Sequence, residues 1–288
     1  MPIAKILASI TGGPHDAAIL GYALAAARPF NAHVVAAFSK PDISDAIAFF
    51  HDGISGAVVD EVVRASREAA EEALQRARTA LKDVTEKGGV KIVAEPVRSH
   101  TVTLSFRELR GNFADQVTEA ARLSDIVVFG PLREDDRTGL AEVFVQVLTQ
   151  TDRPVLLTTE TAPEKFACRV AIGWDGKTAA AQAVSASIPY LARAEKVEVL
   201  SVQRSSAQPY PTEGLREYLA LHGIEINERI LAPTSKSIGE VLLEAATEGG
   251  ADLLVIGGYG HSRLRESLIG GVTRHVVSHA TMPVFMVH

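Results

Sequence analysis

A single cysteine, Cys168, stands among 288 residues, so no disulfide can form within the chain. That absence excludes a disulfide-stapled scaffold and points to a reducing, cytoplasmic compartment. Long apolar runs are missing too. None approaches the roughly 20 residues needed to span a bilayer. The opening Met1-Pro2-Ile3-Ala4-Lys5 has no basic stretch leading into an apolar one, so no secretory signal is expected. Positive charge is in deficit, with a net charge of -6. A broad basic footprint for nucleic acid is therefore excluded, as is charge-driven attraction to a membrane surface. No Gly-x-Ser-x-Gly nucleophile elbow occurs. What remains is a globular composition, 47% apolar and 22% charged, which rules out a disordered or collagen-like chain. The length suggests about two domains.

The chain reads as one unit written twice. Ile3 to Ile10 and Arg169 to Trp174 are short β-rich apolar runs. Each is followed by a small polar cluster and then an alanine-rich stretch with helical spacing, Asp16 to Ala27 and Ala179 to Arg193. Second apolar runs follow at His33 to Phe38 and Lys196 to Val202, and third ones at Val90 to Val97 and Ile224 to Leu231. Helical patterns at Phe113 to Arg122 and Ser237 to Thr247 lead into Asp125-Ile126-Val127-Val128-Phe129-Gly130 and Asp252-Leu253-Leu254-Val255-Ile256-Gly257. Each half closes on a helix and a strand opened by proline, at Pro154 and Pro283. Strands alternating with helices connect by crossovers, so each sheet should be mainly parallel. Uninterrupted Val/Ile/Leu runs are what strands covered on both faces look like. The polar stretch around Pro163 sets the expected boundary, giving domains 1–162 and 163–288. An insertion from Pro41 to Gly88, with a charged helix from about Ala57 to Glu86, is a cover for the sheet, a lid or a contact surface.

The informative segment follows the fourth strand of the second half. Gly257, Gly258 and Gly260 come directly after the strand; Gly270 and Gly271 precede a helix expected near Val272. Glycine permits positive φ and close backbone approach to a ligand. A helix N-terminus offers unpaired N–H groups and a positive dipole end, which favour an anion. Thr273 adds a hydroxyl donor. Asp175 follows the first strand of this half. In an open parallel sheet, both segments would face the crevice where strand order reverses. A carboxylate there can accept from ribose hydroxyls or help to hold Mg²⁺.

On these residues the chain resembles the universal stress protein family in its tandem, two-domain form. The family pattern is Gly, two residues, Gly, nine residues, Gly, then Ser or Thr; Gly257, Gly260 and Gly270 fit it, with Gly271 in place of the hydroxyl residue. The resemblance implies two tandem flavodoxin-like or Rossmann-like α/β domains, each a five-stranded, mainly parallel sheet with helices on both faces. It implies ATP or another adenine nucleotide, with Mg²⁺, in the second half. Asp175 would lie near the ribose and metal, and Val202 would meet adenine through its backbone. Gly257, Gly260, His261, Gly270, Gly271, Val272 and Thr273 would surround the phosphates. A pseudo-dimer within the chain is expected; a homodimer and a regulatory protein partner are left open.

The first half departs from the pattern. Thr11 replaces the acid and is followed by Gly12-Gly13. Counting back from Pro154 places Ala141-Glu142 opposite Gly270-Gly271, so a carboxylate would repel a phosphate there. Competing signals are weaker. Gly176-Lys177-Thr178 resembles the tail of a P-loop, but the first glycine of that motif would fall on Ala171, and a helix-opening turn is the better reading. His275 and His279 share a helix face without the glutamate of a zinc-protease motif, and read as surface or interface residues. Cys168 reads as a small buried residue. No general base for hydrolysis stands out, His261 being the sole candidate in the loop. The expectation is a cytoplasmic stress-response protein that binds ATP as a sensor or regulator. A weak ATPase and a nucleotide-free scaffold or small-ligand binder are the alternatives.

Overall fold

Alanine-rich helices packed on strands of valine, isoleucine and leucine set the architecture of a computed structural model. It describes residues 3–39, 56–132, 139–203, 210–232, 234–258 and 271–288. The first half runs β1 (Lys5–Ile10), α1 (Asp16–Ala27), β2 (His33–Ser39), α2 (Gly56–Gly88), β3 (Lys91–Ile92) and β4 (Thr103–Leu109). It continues with α3 (Phe113–Arg122), β5 (Ile126–Phe129), α4 (Leu140–Gln150) and β6 (Val155–Leu157). The second half repeats the order: β7 (Arg169–Gly173), α5 (Thr178–Leu191), β8 (Lys196–Val202), α6 (Glu213–Leu221), β9 (Asn227–Leu231), α7 (Ile238–Glu248), β10 (Leu253–Gly257), α8 (Gly271–His279) and β11 (Val284–Val287).

All these strands join one sheet, in the order β3-β4-β2-β1-β5-β6-β11-β10-β7-β8-β9. Every pairing is parallel except β6 with β11, where the two halves meet antiparallel: Val284 faces Leu157, Phe285 faces Leu156 and Met286 faces Val155. The proline-opened last strands are thus the seam. Each half is a doubly wound α/β unit, and the expected tandem architecture holds. Alternate strand residues feed two cores. Ile6, Ile126 and Val255 point to the face covered by α1, α2, α5 and α6. Leu7, Val127 and Leu254 point to the face covered by α3, α4, α7 and α8.

The repeat is visible in hydrogen bonds. Asp125 Oδ2 accepts from the backbone N–H groups of Ala4 (2.7 Å) and Lys5 (2.9 Å). The Asp252 carboxylate does the same for Cys168 (3.0 Å) and Arg169 (2.9 Å). Each acid thus ties down the start of its half's first strand. Across the seam, the buried Tyr190 hydroxyl donates to Ala26 O at 3.0 Å, and its ring meets Phe30, Phe166 and Phe285 edge-on.

One strand assignment is corrected. The expected third strand at Val90 to Val97 contributes only the two-residue edge strand β3; the strand beside β2 is β4, in full register from His33–Thr103 to Ser39–Leu109. The expected long helix is α2 itself. Cys168, expected to be buried, is half-buried instead. Among the described residues, no helix is long and apolar enough to cross a membrane.

Candidate functional site

The second-half strand order places β7 between β10 and β8. The chain leaves β7 for β8 on one side and later returns to β10 on the other, so the β7–β10 pair is the point where strand order reverses. The carboxyl ends of β10 (Gly257), β7 (Gly173) and β8 (Val202) therefore stand side by side. Asp175 comes two residues after β7, in a turn that glycine makes possible: Gly176 has φ +69°. Asp175 Oδ1 accepts from Lys177 N–H (3.1 Å), and Oδ2 lies 3.4 Å from Lys177 Nζ. The acid and the lysine both reach solvent, their side chains 44% and 54% exposed. Thr178 then opens α5, so the Gly-Lys-Thr segment is a helix-opening turn.

The glycines divide by what surrounds them. Neither Gly257 nor Gly258 has positive φ; close packing is what requires them. A Cβ on Gly257 would lie 2.6 Å from Ala180 N and 2.7 Å from Ala179 C, inside the first turn of α5. One on Gly258 would lie 3.0 Å from Leu148 Cδ2, a side chain of α4 in the other half. Gly271, the first residue of α8, is exposed, and among the described residues a Cβ there would meet nothing within 4 Å. Val272 is half-buried against the core of its face, and Thr273 is 6% exposed. Val202 ends β8 half-buried, in register with Leu231. Gly260, His261 and Gly270 lie outside the described residues. Among the described site residues, the topology gathers Asp175, Val202 and Gly257 at the carboxyl ends of three adjacent strands.

Lys177, read in the sequence only as part of a helix-opening turn, adds a cation beside Asp175. Two residues here went unread. Tyr210 covers the turn, its Cδ1 3.3 Å from where a Cβ of Gly176 would stand. The neighbouring Pro211 carbonyl accepts from Trp174 Nε1–H at 3.1 Å. Nothing local in the sequence ties residues 210–211 to the end of β7; the only signal is their position shortly after β8.

The matching region of the first half is closed from within. Asp16, 2% exposed, turns its carboxylate onto the β1–α1 loop, accepting from Thr11 N–H (3.1 Å) and Gly12 N–H (2.8 Å). Its pKa is raised, first by burial, against the lowering effect of those hydrogen bonds. Helix α2 seals the loop from outside. A Cβ on Gly12 (φ +76°) would sit 2.2 Å from Ala73 O, and Arg76 Nε–H donates to Gly12 O at 2.8 Å. Glu142 lies in the first turn of α4, where its charge complements the helix's own dipole.

His275 and His279 stack at 4.3 Å, and His279 Nδ1 sits 2.9 Å from the His275 carbonyl. Among the described residues, no cluster of three potential metal ligands forms.

Residues 167–288 match the family model of the universal stress protein family. The second half is a universal stress protein domain. Solved structures carry the same fold across both halves. A universal stress protein from Archaeoglobus fulgidus is similar over 98% of this chain and 95% of its own, with 13% identity and a TM-score of 0.61. A candidate universal stress protein from Pseudomonas aeruginosa is similar over 99% of this chain and 93% of its own, with 14% identity and a TM-score of 0.59. No curated protein matches the chain. At these identities the solved structures speak for the fold alone, so the tandem architecture is shared while the ligand is a separate question.

Proposed function

We propose that the chain is a stress-response protein that binds ATP, with Mg²⁺, in its second half and acts as a nucleotide-dependent sensor or regulator. The functional division follows domains 1–162 and 163–288. The observation that carries this reading is the contrast between the two crevices. In the second half, Asp175 and Lys177 reach solvent where strand order reverses, and among the described residues nothing lies within 4 Å of a Cβ placed on Gly271 at the start of α8. In the first half, Asp16 takes up the loop N–H groups and α2 covers the loop.

The donor set suits a nucleoside triphosphate. Asp175 would accept from the ribose or share the metal with phosphate oxygens. Lys177 and the α8 N-terminus supply positive charge for phosphates. Magnesium keeps most of its shell as water and phosphate oxygen, so one carboxylate is enough protein ligation.

Trp174, the sole tryptophan, adjoins Asp175 and reports the site. Mg-ATP should change its fluorescence saturably, and Asp175→Ala should weaken binding by about 1–3 kcal/mol, the range for a hydrogen bond to a charged group. Equal affinity in parent and variant would remove Asp175 from the site. No response at millimolar ATP would replace this reading with the scaffold alternative, and rapid phosphate release would replace it with an ATPase.

A further inference from the structure

We propose that the cleft between helices α5 and α6 and the leading ends of β1, β5 and β6 is a second ligand site, built for a small organic anion with an apolar body. The cleft encloses about 340 Å³, within the size range of small-molecule pockets. Ile3, Pro154, Ile188 and Pro189 give it an apolar wall. Arg153, Ser185, Tyr218 and His222 contribute polar groups.

The two-fold repeat gives this cleft a filled counterpart in the first half. Lys5 and Arg169 hold equivalent places, each giving its N–H to the acid that ties down its strand. The same offset matches His15 to Ala179, and each of these packs against the glycine that ends or follows the neighbouring strand, Gly130 and Gly257. By that offset Gly21 on α1 corresponds to Ser185 on α5. Over Gly21 the space is filled: Ala162 Cβ lies 2.5 Å from where a Cβ would stand, and Tyr22 Oη is 2.7 Å from Thr159 Oγ1. The filler is the segment that connects β6 to β7. Beside Ser185 the described residues leave the cleft in the equivalent place.

The charge at the wall selects an anion. Arg153 Nε is out of solvent and has no hydrogen-bond acceptor. Among the described residues, its guanidinium forms no ion pair. A buried donor without a partner is costly, and guanidinium prefers a carboxylate-like acceptor. The one acid at the wall, Asp125, is committed to the backbone N–H groups of Ala4 and Lys5. The Tyr218 hydroxyl donates to Ser185 Oγ at 3.4 Å, which leaves the Ser185 hydroxyl and the His222 ring to complete the shell of an acidic group, while the apolar wall holds the ligand's body.

Anilinonaphthalene sulfonate, an aromatic anion that brightens in apolar surroundings, is a direct probe, with its uncharged parent anilinonaphthalene as control. Titration of the full chain should show saturable binding of the sulfonate, with the uncharged compound about tenfold weaker or worse. Arg153→Met and Ser185→Phe, one removing the cation and the other filling the cleft from the helix side, should each weaken it about tenfold or more. Arg153→Lys should retain most of the affinity, and saturating Mg-ATP should leave it unchanged. Equal binding of the two probes would overturn the anion preference. Displacement by ATP, absence of saturable binding, or unchanged affinity in Ser185→Phe with an unaltered melting curve would overturn the site. The ATP arm keeps this outcome separate from that of the nucleotide crevice.

Discussion

Gly257 and Gly271 both belong to the phosphate-loop pattern, yet their surroundings assign them different burdens. A methyl at Gly257 would press on the α5 backbone, 2.6 Å from Ala180 N and 2.7 Å from Ala179 C. Backbone cannot rotate aside as a side chain can, so β10 and α5 must separate. Overpacking of this kind costs about 1–3 kcal/mol. In a chain of this size each kcal/mol lowers the melting temperature by roughly 2–4 °C, so Gly257→Ala should melt roughly 2–12 °C below the parent. Among the described residues, the same methyl at Gly271 meets nothing within 4 Å. Gly271→Ala should keep its stability within about 0.5 kcal/mol. Gly271→Ser, which restores the hydroxyl donor of the family pattern at the helix end where phosphate would approach, should tighten ATP by about 0.5–1.5 kcal/mol. Urea denaturation and calorimetric ATP titration of these variants separate the roles. A Gly257→Ala protein as stable as the parent would refute the packing argument. A Gly271→Ser protein with unchanged ATP affinity would refute the phosphate approach at α8.

Tyr190→Phe should cost about 1–3 kcal/mol in urea unfolding, since the Ala26 carbonyl across the seam loses its buried donor; an unchanged midpoint would mean the seam does not depend on this bond. His33 is held between Thr103 and Ser105 hydroxyls at 2.8 Å each, and its pKa is lowered from 6.5, first by burial and then by the Lys5 and Arg107 charges. Between the lowered folded value and 6.5 the unfolded chain binds more protons, so stability rises with pH there, is complete above 6.5 and is lost as pH falls. His33→Gln should flatten that slope in unfolding curves measured across the window, and an unchanged slope would assign the dependence elsewhere.

Elements whose own pattern decides them were legible in the sequence. Asp16–Ala27 is helical in the structure over the very span its alanine-rich spacing indicates, and the valine-rich run after Asp125 is a strand buried on both faces. The third strand of the first half was not legible, because local composition and pairing disagree there. Val90 to Val97 is rich in β-formers but contains Pro96, and Ile92 and Val97 remain about half exposed. Thr103–Leu109 offers β2 a continuous seven-residue ladder and takes the place. At the site, Asp175 and Gly271 were readable because a strand end and a helix start can be seen in one stretch of chain. Tyr210, Pro211 and the closure of Gly12 by Ala73 were not, since they depend on how distant segments fold back. The same limit hid Gly257's contact with α5. A glycine needed for packing and one needed for a ligand look alike in sequence.

Of the two crevices, only that of the second half is proposed to accept nucleotide. Calorimetric titration of Mg-ATP into the full chain counts the sites directly. A single site per chain is expected, lost or strongly weakened in Asp175→Ala and unaffected by Asp16→Asn. Two equal sites per chain, or no binding at millimolar ATP, would contradict it.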